Sequence, residues 1–152
     1  MNYWDKKNVR DQLDEKFKVL KSFVGFTPQQ GWIKTIREVL GLTTSQLAKK
    51  VGISQPRISR LENSEKMGDL KLSSLQKIAK GLNMHFVYCF VPESTLEDMV
   101  REQARRIALK RLKRLDNTMR LEKQGLSEGE KKKALDDMIE KILIDNPKDL
   151  WD

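Results

Sequence analysis

Glu122 is a carboxylate where an apolar side chain is expected. It follows Leu115 by seven residues, in the stretch NTMRLEKQG (117–125). That stretch closes a segment with helical apolar spacing from Leu96 to Met119. Thr118 lies one turn earlier, so Thr118-x-x-x-Glu122 sets a hydroxyl and a carboxylate on one side of a helix. Such a carboxylate either meets water beyond the helix end or awaits a cation outside the chain. Other reactive residue types are sparse. His85 is the only histidine and Cys89 the only cysteine. Both fall in MHFVYCFV (84–91), where a sheet residue and a small buried hydrophobe are the expected roles. The sequence shows no Cys/His cluster, no glycine-rich phosphate loop and no triad. Neither a metal nor a cofactor is expected, and an enzyme is not. A single cysteine also rules out an internal disulfide.

The 152 residues carry 30 Lys and Arg against 22 Asp and Glu, a formal net charge of +8. That excess favours polyanionic partners, nucleic acid foremost, although many soluble proteins are simply basic. Arg105, Arg106, Lys110, Arg111, Lys113 and Arg114 concentrate it, with no acid among residues 105–114. On a helix they oppose the apolar stripe, as a solvated face or as an extension of a nucleic-acid footprint. No apolar run approaches the roughly 20 residues of a membrane helix. The opening MNYWDKK lacks the apolar core of a signal peptide. The expectation is a cytoplasmic protein with no membrane partner.

Elements must position these groups. Val9, Leu13, Phe17, Leu20 and Val24 predict a helix over 5–24. Thr27-Pro28 reads as an N-cap and first-turn proline for a helix bearing Trp32, Ile33, Ile36, Val39 and Leu40. Thr43 caps TSQLAKKV, Gly52 ends it, and Ser54 caps QPRISRLENS. LSSLQKIAKGL is a further helix, stopped by Gly81. MHFVYCFV predicts the one strand. A lone strand leaves its backbone groups unpaired, so its simplest partner is the same strand of a second copy, in a two-fold dimer. The alternative is an edge covered by the first helix. Ser94 and Glu97 predict a capping box, as do Ser127 and Glu130. Between them runs a long helix broken at Gly125, and a last helix ends at Asn146-Pro147. The two predict a helical hairpin.

Residues 43–62, TTSQLAKKVGISQPRISRLE, join two short helices by a tight turn, with Leu47, Ala48, Val51, Ile53, Ile58 and Leu61 at core positions. This resembles the XRE-type helix-turn-helix family over roughly residues 30–83, including REVLGLTTSQLA and LQKIAKGLN. The resemblance implies a five-helix domain whose second motif helix enters the DNA major groove. It places Gln55, Arg57, Ser59 and Arg60 toward base edges, where Gln suits adenine and Arg suits guanine. Thr44 and Gln46 are expected to hold a phosphate. Pro56 departs from the usual polar residue and leaves readout there to shape or a methyl contact. Arg37 and Glu62 match positions that brace the family's fold.

Thr118-x-x-x-Glu122 also resembles the [Ser/Thr]-x-x-x-Glu-[Gly/Asn] motif of antitoxins that block Fic-domain enzymes. The resemblance implies that Glu122 pairs with an active-site arginine that would otherwise orient the γ-phosphate of ATP, which prevents nucleotidyl transfer, with Thr118 its companion. Lys123 stands where Gly or Asn is usual. An XRE domain, FVYCFVP, a basic helix and MRLEKQ together resemble the mobile mystery protein A family, whose members are expected beside a Fic-domain partner. The expected protein is mainly α. Its parts are an N-terminal helix (1–27), an XRE domain (28–83), a dimerising strand (84–92, paired over 84–91) and a C-terminal toxin-binding region (93–152). Its implied role is a homodimeric autorepressor on a palindromic operator that neutralises a Fic-domain nucleotidyltransferase. The alternatives are a stand-alone repressor, or an antitoxin to a toxin of another class.

Overall fold

The computed structural model describes residues 1–121, 127–145 and 148–152. The described residues form seven α-helices and no strand. These are α1 (Tyr3–Leu20), α2 (Trp32–Val39), α3 (Thr44–Val51), α4 (Gln55–Lys66), α5 (Leu72–Gly81), α6 (Leu96–Leu121) and α7 (Glu128–Asp145). They sort into two compact units. A central unit spans Ser22–Phe90, and a terminal unit combines Met1–Lys21 with Val91–Asp152.

In the central unit α2 packs on α4, and α3 packs on α4 and α5. Ile33, Leu47, Ala48, Val51, Ile58 and Ile78 are buried together, with Ile53 and Leu61 packed against them. Thr43 begins α3 through a reciprocal capping box with Gln46. Gly52 ends it in the left-handed conformation, at φ 78°, which glycine adopts without steric cost. Gly81 does more than stop α5. A Cβ there would stand 2.9 Å from the Val51 Cα, so the missing side chain lets α5 close on α3.

The start of α2 is not at Thr27-Pro28. Its N-cap is Gly31, at φ 85°, with no side-chain cap of its own. The Glu65 carboxylate of α4 accepts the N–H groups of Trp32 and Ile33, both at 2.9 Å. Ser54 precedes α4 as expected but makes no capping hydrogen bond with its side chain. Five helices are expected of this domain, and the central unit holds four α-helices. Asn83 takes a positive φ of 55° after α5, and residues 84–91 have no regular secondary structure. The strand predicted there is absent because no second strand in the described chain offers its backbone groups a partner. Cys89, expected to be buried, is exposed.

The terminal unit packs α6 against α7, with α1 on both. Its core is Tyr3, Ala104, Ala108, Ile139, Ile142, Leu143 and Leu150. The predicted apolar stripe of α1 holds only in part: Leu13, Phe17 and Leu20 are half-buried, and Val24 lies beyond the helix. Val9 is exposed, while Tyr3 and Asp14 are buried. The reason is polar. Asp14 accepts the N–H groups of Leu96 (2.8 Å) and Glu97 (3.2 Å), the first two of α6. Arg10 donates to Glu97 at 2.9 Å. The predicted Ser94–Glu97 box is thereby replaced: Thr95 Oγ1 accepts from the Asp98 N–H (2.9 Å), and Glu97 serves Arg10 instead. The Ser127–Glu130 box forms in both directions, at 3.1 and 3.3 Å. Gln103 donates to the Leu150 carbonyl (2.7 Å) and holds the C-terminal turn on α6. The expected stops at Gly125 and Asn146-Pro147 lie outside the described residues. Among the described residues no helix is long and apolar enough to cross a membrane.

Candidate nucleic-acid interface

Ile58, Leu61 and Glu62 anchor α4, and the opposite side of that helix faces solvent. Gln55, Pro56, Arg57 and Arg60 are exposed and Ser59 is half-buried. At 3.6 residues per turn, Pro56, Ser59, Arg60 and Asn63 share the outward face, with Gln55 and Arg57 at its N-terminal edges. Asn63 was not singled out by its residue type. Its position, four residues after Ser59 and seven after Pro56, is the signal that finds it. Its side chain is exposed, and asparagine offers the same bidentate donor–acceptor edge as glutamine.

The helix pair is tied at its open end. Gln55 Nε2 donates to Thr44 Oγ1 at 3.2 Å, so the first residue of α4 touches the first residue of α3. Gln46 Oε1 accepts from the Thr43 N–H at 2.8 Å, which fixes that amide and leaves its Nε2 to donate outward. Thr44, Gln46 and Gln55 thus gather around the N-terminal ends of two helices. There the unpaired N–H groups and the positive dipole end suit a phosphate. Lys49 and Lys50, in the last turn of α3, are exposed.

Behind this face sits a nearly buried ion pair. Arg37 Nε and Nη2 donate to the two carboxylate oxygens of Glu62, at 2.6 and 3.1 Å. Arg37 Nη1 adds a bond to the Leu42 carbonyl at 3.2 Å. The hydrogen bonds to Glu62 hold the guanidinium above its ordinary pKa, and burial opposes them. This bidentate fork fixes α4 against α2 at the helix-terminal loop, so the brace expected of Arg37 and Glu62 is present.

Residues 33–89 match the family model described as Helix-turn-helix. These residues carry an XRE-type helix-turn-helix domain, a DNA-binding regulatory domain. The match spans less than half of the chain and leaves the terminal unit unmatched. No curated protein and no solved structure matches the chain.

In the terminal unit Thr118 lies on α6, exposed, with its hydroxyl donating to the Arg114 carbonyl at 2.9 Å. That is ordinary back-bonding within a helix. Glu122 and Lys123 lie outside the described residues, and so does the geometry of the motif they would complete. His85 is exposed in the segment after α5. Among the described residues no group of three or more His, Cys, Asp or Glu is placed to hold a metal ion.

Proposed function

We propose that this chain is a homodimeric transcriptional repressor that binds a palindromic operator and also acts as the antitoxin of a Fic-domain toxin. The DNA-binding part rests on one observation above the rest: the outward face of α4 is polar, exposed and held by a nearly buried bidentate ion pair. In this reading Gln55, Arg57, Ser59 and Arg60 read base edges. Asn63 extends the same row, and Thr44 and Gln46 take a phosphate. Two copies meet through residues 84–91, where Val87, Tyr88 and Phe90 are apolar and exposed. A two-fold pairing sets two recognition helices on half-sites about 34 Å apart.

The antitoxin part is supported by the resemblance of Thr118-x-x-x-Glu122 and its flanks, and by a separate helical unit for a partner to grip. Glu122 is then the inhibitory carboxylate and Thr118 its companion. Co-purification tests it: the tagged full chain is expressed with its neighbouring reading frame. A stoichiometric Fic-domain partner is expected, and Glu122→Ala should restore toxin activity while the complex survives. If the chain instead purifies alone as a DNA-binding dimer, it is a stand-alone repressor.

A further inference from the structure

Arg106, Lys110 and Lys113 form a row on α6 that the terminal unit leaves in solvent. The opposite side of the helix carries Ala104, Ala108 and Leu112, all buried. Arg114 flanks the row, and Arg105 and Arg111 lie at the two edges of the apolar side. All six basic side chains are exposed. At 1.5 Å per residue the block 105–114 is about 15 Å long and, counted all round the helix, carries about one charge every 2.5 Å. Duplex DNA presents about one phosphate every 1.7 Å of its axis. The two charge densities are of the same order.

Acids are kept off this face. Residues 91–152 hold 14 acidic and 14 basic residues, yet none of the acids falls within 105–114. Among the described residues only Glu102 approaches the block, 4.0 Å from Arg105 and 3.6 Å from Arg106 in exposed pairs of little strength. Lys110, Arg111, Lys113 and Arg114 make no salt bridge with any described residue. A helix that stabilised its own surface would place carboxylates one turn before its lysines. Arg106 stands one turn before Lys110, and Lys110 one turn before Arg114, so like charges face one another along the block. Protein interfaces keep charge, and lysine above all, out of their centres. Here the only exposed apolar residue inside the block is Leu109.

We propose that this face of α6 is a second nucleic-acid surface, which binds the phosphate backbone of duplex DNA without reading its sequence and separately from α4. The assignment does not depend on the toxin or on the operator.

The test is the binding of the full chain to a labelled duplex of mixed sequence, by fluorescence anisotropy from 50 to 200 mM KCl. Three variants are compared with wild type. Arg106→Gln/Lys110→Gln/Lys113→Gln removes three charges, and Arg106→Lys/Lys110→Arg/Lys113→Arg keeps them. Each lost phosphate contact lowers the salt slope by about 0.9. Over this range wild type should therefore lose about 40-fold more affinity than the neutral variant. The charge-keeping variant should follow wild type. Lys110→Gln alone, the mildest change, should lower the slope by about one. If all three bind as wild type with unchanged helix content, the proposal fails. It fails equally if the neutral variant loses only an acidic protein partner and keeps its DNA affinity and slope.

Discussion

In the central unit, Glu65 of α4 receives the first two N–H groups of α2; in the terminal unit, Asp14 of α1 receives the first two of α6. Each unit also ties helices together with Arg–Glu pairs, Arg37–Glu62 in the first and Arg10–Glu97 and Arg101–Glu140 in the second. The shared devices meet different cores. The central unit fully encloses Leu47 and Ile58, where α3 and α4 meet. Its helices approach closely through Gly31 and Gly81, where an added Cβ would stand 2.8 Å from the Glu65 carboxylate or the Val51 side chain. The terminal unit seats its long helix on Ala104 and Ala108. The difference separates the tasks. Short helices tied by the Glu65 cap and the Arg37–Glu62 pair hold one face of α4 at a fixed angle, as the proposed base reading requires. A 26-residue helix resting on small residues presents a long solvent face, as backbone binding or a partner requires.

The comparison breaks most visibly at the ion pairs. Glu62→Ala strands a nearly buried guanidinium and should destabilise the central unit by about 3–5 kcal/mol, measured by urea unfolding. Arg10 is as nearly buried as Arg37, but Glu97→Ala takes from it one hydrogen bond rather than two, along with a 3.5 Å pair to Arg101, and should cost less. Equal losses would mean that the two pairs do the same job. Ile58→Ala should cost about 2–5 kcal/mol and abolish DNA binding, because the enclosed site cannot collapse. Gly31→Ala combines a positive φ with a blocked Cβ, and about 1–3 kcal/mol of destabilisation is expected. The smallest effects are at the carboxylate caps. Asp14→Ala and Glu65→Ala should each cost about 0.5–2 kcal/mol. Hydrogen exchange should localise the first loss to the start of α6 and the second to the start of α2.

Much of the central unit was legible because its signals are local. Thr43 and Gln46 sit three residues apart, Gly52 marks its own turn, and Leu47, Ala48, Val51 and Ile58 keep the helical period. The Ser127–Glu130 box is legible for the same reason. What escaped was non-local. Glu65 lies 32 and 33 residues from the N–H groups it caps, and Asp14 lies 82 and 83 residues from its own. No window along the chain holds both partners, so Thr27-Pro28 and Ser94–Glu97 looked like the caps. The inward face of α1 escaped because a polar residue wins burial there only by reaching Leu96 and Glu97. Residues 84–91 have strand composition, but composition supplies no partner for the backbone.

The central claim is that the outward face of α4 selects DNA by sequence. The most direct measurement is the ratio of affinities for the promoter duplex of the chain's own gene and for a mixed-sequence duplex. It is taken at one salt concentration for wild type, Arg57→Ala and Arg60→Ala, with folding checked by circular dichroism. Each base contact is worth about 1–3 kcal/mol of discrimination. At least one of the two variants should therefore lower the ratio by about 5- to 150-fold with its fold intact. A ratio unchanged in both variants would contradict the account and move the reading of DNA away from α4.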